Sequence, residues 1–227
     1  MRTHSTVVRI MVQLSLLALV AACGGGGGGG GGGGSAPTTY PSSYANFKII
    51  FVTSTIDTGN IKGWLNNVCA NRSTGVESAD CICQEHAVWW GNLSGTFKAW
   101  LSGSTSTTSI SARLSHSTQP YVNRRGDQIA ANWTTLTSGT LQCSDLMYYD
   151  ESGQPTSAQF NMVWTGATAT GGIYTPLNNC NNWTNSTGSW GGMVGICTSI
   201  TSNFSGCWTR WGVRPCDDWN RLYCVEQ

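Results

Sequence analysis

The chain has 227 residues, long enough for one domain with a sizeable core. Only 10% are charged; setting aside Arg2 and Arg9, which lie in the leader, ten basic residues stand against 11 acidic ones. So neutral a surface excludes nucleic-acid binding and strong attraction to anionic membranes. Ten cysteines point to an oxidising compartment and to disulfides. A metal knuckle is not expected, because Cys81-Ile82-Cys83 has one intervening residue and no histidine at ligand spacing.

Residues 1–22 read as a signal peptide: a basic start (Arg2, His4, Arg9), then an apolar stretch too short to span a bilayer comfortably. It ends Leu19-Val20-Ala21-Ala22-Cys23-Gly24, which resembles the bacterial lipobox and implies that Cys23 becomes a lipidated N-terminus. Several acyl chains at Cys23 would hold the protein stably to a membrane, and Gly24 is compatible with the outer membrane. Residues 24–34 are eleven consecutive glycines. No packed structure repays that entropy, so 23–45 is a flexible tether, with roughly 25 Å of reach for about 20 residues.

The globular domain is expected over 46–227. Residues 47–53 (Phe-Lys-Ile-Ile-Phe-Val-Thr) form a β-rich apolar run and a first strand, and Thr58-Gly59-Asn60 a turn. Residues 78–87 read as a helix with Ser78 as N-cap and Ala79, Ile82, Cys83 and Ala87 on one face. His86 is expected at the helix surface or the core edge. Ile129, Trp133 and Leu136 have the i, i+4, i+7 spacing of a short helix. Arg125-Gly126-Asp127 spells the tripeptide of integrin ligands but falls at the mouth of that helix rather than at a loop apex, so no integrin role is expected. Residues 146–149 and 159–164 read as strands paired around the turn at Asp150-Glu151-Ser152-Gly153, with both acids solvated. Residues 184–215 are Ser-, Gly- and Trp-rich without periodicity, and so long an unpatterned region is often functional. Leu222-Tyr223 begins a final strand between Cys216 and the chain end.

Several motifs then occur in one order. They are Ala79-Asp80-x-x-Cys83-x-x-x-Ala87, Gly95-Thr96-Phe97-Lys98-Ala99-Trp100-Leu101-Ser102, Pro120-Tyr121-Val122-Asn123, Trp133-x-x-Leu136-x-Ser138-Gly139, Val163-Trp164-Thr165-Gly166, Cys180-x-x-Trp183 and Leu222-x-Cys224-x-Glu226. Together they resemble the C-type-lectin-like fold, and more closely its endostatin branch. With the lipobox, the whole chain resembles the bacterial lipoproteins that carry an endostatin-like domain, such as the leptospiral endostatin-like proteins. The resemblance implies an α+β fold with two short helices against mixed, mostly antiparallel sheets. It also implies a non-catalytic surface module that binds matrix or complement-type host proteins. A calcium-independent carbohydrate-binding lectin and a structural envelope lipoprotein are the alternatives.

The residue pattern alone leaves cysteine connectivity open. The resemblance implies Cys83–Cys224 and Cys180–Cys216. Proximity adds Cys197–Cys207 and Cys69–Cys81, leaving Cys143 over. Neither Glu-Pro-Asn nor Trp-Asn-Asp, the calcium patterns of true C-type lectins, occurs in place: Gln154-Pro155-Thr156 is too early, and Asp218-Trp219-Asn220 follows Cys216. Endostatin's N-terminal zinc histidines are absent, so no metal or cofactor is expected. Of the arginines, only Arg113, Arg124, Arg125, Arg210 and Arg214 could serve a heparin site. Catalysis is not expected, since His86 and His116 lie in different segments and no nucleophile elbow, His-Glu-x-x-His or phosphate loop occurs. The candidate binding face is the long region, through Trp190, Trp208, Arg210, Trp211 and Arg214. Trp and Arg are the residues enriched at binding hot spots.

Overall fold

The computed structural model describes residues 46–64, 68–141, 147–157, 161–197 and 204–227. The leader, the tether and Cys143 lie outside them. The fold is α+β, with four short helices and two mixed or antiparallel sheets. Strands β1 (Lys48–Val52), β2 (Phe97–Ala99), β3 (Tyr121–Val122), β4 (Gln128–Ala130) and β8 (Tyr223–Glu226) form the larger sheet, in the order β2-β8-β1-β3-β4. Only β1 and β3 run parallel. Strands β5 (Met162–Trp164), β6 (Gly191–Ile196) and β7 (Gly212–Pro215) form an antiparallel second sheet. The sheets join where Arg221 exchanges backbone hydrogen bonds with Met162 and Trp164 just before β8.

The continuous apolar run of β1 follows from burial on both faces. Ile49 and Phe51 enter one core cluster, Ile50 and Val52 the other. In β8, Cys224 faces the first cluster while Tyr223 and Val225 face the second. Trp100, Trp133 and Trp208 fill the second cluster, with the Trp100 and Trp208 ring centroids 4.6 Å apart.

Helix α1 (Gly75–Glu85) covers the first cluster with Val76, Ala79, Ile82 and Cys83. It begins earlier than the expected Ser78. Thr74 is the N-cap: its hydroxyl accepts the Glu77 N–H, and the Glu77 carboxylate accepts the Thr74 N–H, each at 3.1 Å. This reciprocal box outcompetes Ser78 because it satisfies two free N–H groups at once. Ser78 is instead buried and donates to the Cys69 carbonyl. The helix also covers an open edge of the sheet. Asp80 accepts the Ala99 N–H at 2.9 Å and the Arg113 guanidinium, and Gln84 accepts the Phe97 N–H at 2.8 Å. The outward N–H groups of edge strand β2 are thereby spent.

The remaining helices are single turns: α2 (Ile110–Arg113), α3 (Trp133–Leu136) and α4 (Cys180–Trp183). Ile129 belongs to β4 rather than to α3, because Asn132 caps the helix only one residue before Trp133. In α4 all four residues have positive φ, from 49° to 63°. A left-handed turn costs roughly 1–2 kcal/mol per non-glycine residue. Opposing that cost are the Cys180–Cys216 bridge and the fully buried Trp183, whose indole N–H donates to the Ser102 carbonyl at 2.9 Å.

Two further expectations are corrected. Strand β5 pairs with β6, not with the segment before Asp150; Tyr149 instead bridges Pro155, and Asp150 bridges Val52. Residues 146, 159 and 160 of that expected pair lie outside the described residues. The unpatterned region 184–215 contains β6 and β7. These strands escaped a periodicity reading because β6 is glycine-rich. A Cβ on Gly195 would sit 1.8 Å from the Trp208 carbonyl oxygen, so close backbone approach, not side-chain alternation, dictates its sequence.

The structure joins Cys83 to Cys224, Cys180 to Cys216 and Cys69 to Cys81. The expected Cys197–Cys207 bond is not formed. Cys197 is a buried free thiol donating to the Asn161 carbonyl, while Cys207 is itself disulfide-bonded. Strand alternation explains this. The Ile196 N–H pairs with the Cys207 carbonyl, so Cys207 packs with Ile196 while Cys197, one residue on, turns into the other cluster. Burial pushes the Cys197 thiol up to about 11, so it stays protonated and inert near neutrality.

The Cys83–Cys224 bridge spans 141 residues. Loop-closure entropy assigns such a link about 5 kcal/mol. We expect Cys224→Ser to lower the unfolding free energy by most of that amount in a urea titration; an unchanged midpoint would refute the bridge.

Candidate functional site

Of the residues expected to form a binding face, the structure buries one and spreads the other four over two patches. Trp208 is fully buried between Trp100 and Tyr223 and cannot meet a ligand. Its apolar neighbours, rather than the sequence around it, place it there. Trp190 and Trp211 are exposed but flank opposite ends of the β6–β7 pair: Trp190 accepts from the Cys216 N–H, and Trp211 donates to the Val194 carbonyl. That register separates them by on the order of 15 Å along the strands. Arg210 lies over the Phe204 ring, 5.4 Å from its centroid, and Phe204 meets Trp211 edge-on. Arg214 pairs with Asp218 at 2.8 Å. Two small patches therefore replace one face.

The five arginines considered for heparin are also scattered and engaged. Arg113 pairs with Asp80, and Arg124 is buried with its Nε donating to the Glu151 carbonyl at 2.6 Å. Arg125 lies across Tyr149, donating to its hydroxyl. The Arg125-Gly126-Asp127 tripeptide sits at the apex of the β3–β4 hairpin and not at a helix mouth. Gly126 has φ +88° with open space around it. Both charges are nonetheless held in place, Arg125 by Tyr149 and Asp127 by the Asn123 side-chain amide at 3.1 Å.

A cluster of exposed apolar side chains lies elsewhere, where α1 ends. After Glu85 the helix widens into a π-turn, His86–Trp90, closed by the Gly91 N–H donating to the His86 carbonyl. Such turns are frequent at functional sites. The widening carries Trp89 and Trp90 out to 73% and 56% exposure, beside exposed Val68. They border an open cleft of about 480 Å³ that also reaches Thr55, Asp57, Trp64 and Glu85. None of these was singled out from the sequence. The available signal was Val88-Trp89-Trp90, an apolar continuation of the helix that one buried face cannot absorb.

The back wall of the cleft is a buried polar cluster. His86 Nε2 lies 3.1 Å from the Thr55 hydroxyl. Its Nδ1 lies 3.1 Å from Glu151 Oε1 but is not aligned for a hydrogen bond, so that contact is electrostatic. The His86 ring meets Trp90 edge-on, with centroids 4.1 Å apart. Glu151 was expected in a solvated turn, yet it is only 1% exposed. It accepts from the Ser54 N–H at 2.9 Å and from the Ser54 hydroxyl, while its neighbour Asp150 organises the turn by accepting from Ser152 and Gln154. Burial acts to raise the Glu151 carboxyl, but His86 and Ser54 outweigh it and hold the group below its ordinary value. At Asp57 the balance is reversed. Burial raises its pKa, and Thr58 offsets this only in part.

Among the described residues there is no group of three side chains suited to a metal ion, and no helix long and apolar enough to cross a membrane. No protein-family model matches the chain, and no curated protein matches it.

Glu151 supplies the pH test. A carboxyl held low in the fold stabilises it above the unfolded value near 4.5, and that contribution is lost as pH falls through the folded value. We expect Glu151→Gln to cost about 2–3 kcal/mol at pH 7, because it unpairs a buried cluster. In unfolding curves taken from pH 7 to pH 3, the gap to the wild type should narrow below about 4.5. A gap independent of pH would overturn the assignment.

Proposed function

We propose that this chain is a lipid-tethered, non-catalytic binding module of adhesin type, anchored through Cys23 at the bacterial outer membrane, for extracellular matrix or complement-type proteins. The observation that carries this reading is the exposure of five of the 11 tryptophans: Trp89, Trp90, Trp190, Trp211 and Trp219. A tryptophan brings 150–250 Å² of apolar surface, and leaving five of them in water is costly unless a partner covers them. The buried remainder rules out a shortage of core as the cause, since Trp100, Trp164, Trp183 and Trp208 are fully enclosed.

The endostatin-like, C-type-lectin-like reading of the domain draws support from two features. The first covered helix is bonded to the last strand through Cys83–Cys224, and a second bridge ties Cys180 to Cys216 ahead of that strand. The lipobox at Cys23 and the glycine tether support the surface placement. The paired, buried cysteines are compatible with an extracellular setting.

The test is a binding panel with the oxidised full-length chain against laminin, fibronectin, complement factor H and a glycan array, each with and without EDTA. We expect saturable, EDTA-insensitive binding to a matrix or complement protein, weakened at least tenfold by Trp89→Ala with Trp90→Ala. Binding confined to glycans would replace the protein partner with a saccharide. No binding by the folded chain would leave a structural envelope role.

A further inference from the structure

We propose that the cleft at the π-turn binds an organic cation with an alkylated ammonium head, set against the indoles of Trp89 and Trp90, with Asp57 and Glu85 as counter-charges. The inference rests on the reading of the chain as a binding module and names the ligand class of this one cleft.

Three observations lead to it. The first is form. A cleft of about 480 Å³ lies within the range of small-ligand sites, and one of its two border indoles is braced from behind: His86 meets Trp90 edge-on and is itself held by Thr55 and Glu151. That wall of the site is in place before a ligand arrives, which lowers the cost of binding.

The second is sign. The cleft is lined by two carboxylates, Asp57 and Glu85, and by no lysine or arginine among the described residues. The Asp57 carboxylate accepts only from the adjacent Thr58, and the Glu85 side chain makes no hydrogen bond or ion pair among the described residues. Burial also raises the Asp57 carboxyl, the behaviour of a partly desolvated acid short of compensation. A cation entering the cleft would relieve this.

The third is the kind of cation and the poverty of donors. A bare divalent ion needs several oxygen ligands at once, whereas the cleft offers two carboxylates, and no group of three His, Cys, Asp or Glu side chains suited to a metal occurs among the described residues. A saccharide needs donors as well as acceptors. Here His86 Nε2 is engaged by Thr55 and the Trp64 indole N–H is directed to the Thr58 carbonyl, leaving few donors in the cleft beyond the Trp89 and Trp90 indoles. An alkylated ammonium needs no donor. It is drawn to the faces of tryptophan, the strongest of the aromatic rings for this purpose.

The experiment titrates the full-length chain with choline chloride and, separately, with 3,3-dimethyl-1-butanol, the uncharged molecule of the same shape, at matched ionic strength by calorimetry. We expect saturable choline binding at least tenfold tighter than the neutral isostere. Glu85→Gln and Asp57→Asn should weaken it severalfold, and Trp89→Ala should abolish it. Trp89 is largely exposed, so its variant should melt with the wild type, and a melting curve verifies this. Equal binding of the two compounds, or choline binding indifferent to Glu85→Gln, would overturn the cation assignment while leaving a ligand cleft. Absence of binding by both compounds would also overturn it. The macromolecule panel decides separately whether the chain is a binding module at all.

Discussion

Placing β8 between β1 and β2 makes the larger sheet conditional on a segment about 175 residues beyond β1. Without it, β2 has no strand partner, and β1 keeps its short parallel contact with β3 and the single bridge from Val52 to Asp150. Glu226 extends this dependence, accepting the Ile49 N–H at 3.0 Å from 177 residues away. The Cys83–Cys224 bridge then fastens this interior strand to the helix that covers it. Layer and lid are thus one covalent unit, and the two core clusters form on either side of it.

The second organising element is polar. Glu151 and Asp150 stand in a turn whose position is set by Arg124 from the β3–β4 hairpin, Ser54 after β1 and His86 at the end of α1. Arg221, just before β8, donates to the Thr53 and Ser54 carbonyls at 2.7 Å. A buried cluster of this kind contributes through completeness, since losing one member leaves the others desolvated and unpaired. The same cluster is the rear of the aromatic cleft. Rigidity behind and exposure in front are what a recognition surface requires, and here both come from one helix that changes pitch at His86.

Much of the scaffold was legible in the sequence because it obeys local rules. The apolar run of β1, the covered face of α1 and the final strand all follow from burial periodicity. The bridges Cys83–Cys224, Cys180–Cys216 and Cys69–Cys81 are where resemblance or proximity put them. What was not legible depends on distant groups. The helix start at Thr74 is written as Thr-x-x-Glu, but Ser78 also offers a capping side chain next to the apolar face. Asp150-Glu151 looks like a solvated turn until Ser54 and His86, 97 and 65 residues away in the chain, close on it. The Arg-Gly-Asp apex was masked by giving Ile129 to a helix. Trp208 drops out of the candidate face for a simple reason. Tryptophan is equally at home in a core and at an interface, and composition cannot tell Trp208 from Trp211.

The interior position of β8 also has a meaning in time. At roughly 5–20 residues per second, a ribosome delivers β8 on the order of 10–35 s after β1. Throughout that interval Ile49, Ile50, Phe51 and Val52 form an apolar strand with its main antiparallel edge open. A segment of this kind pairs readily with copies of itself. The interval before β8 arrives is therefore the one in which this strand is open to pairing between chains.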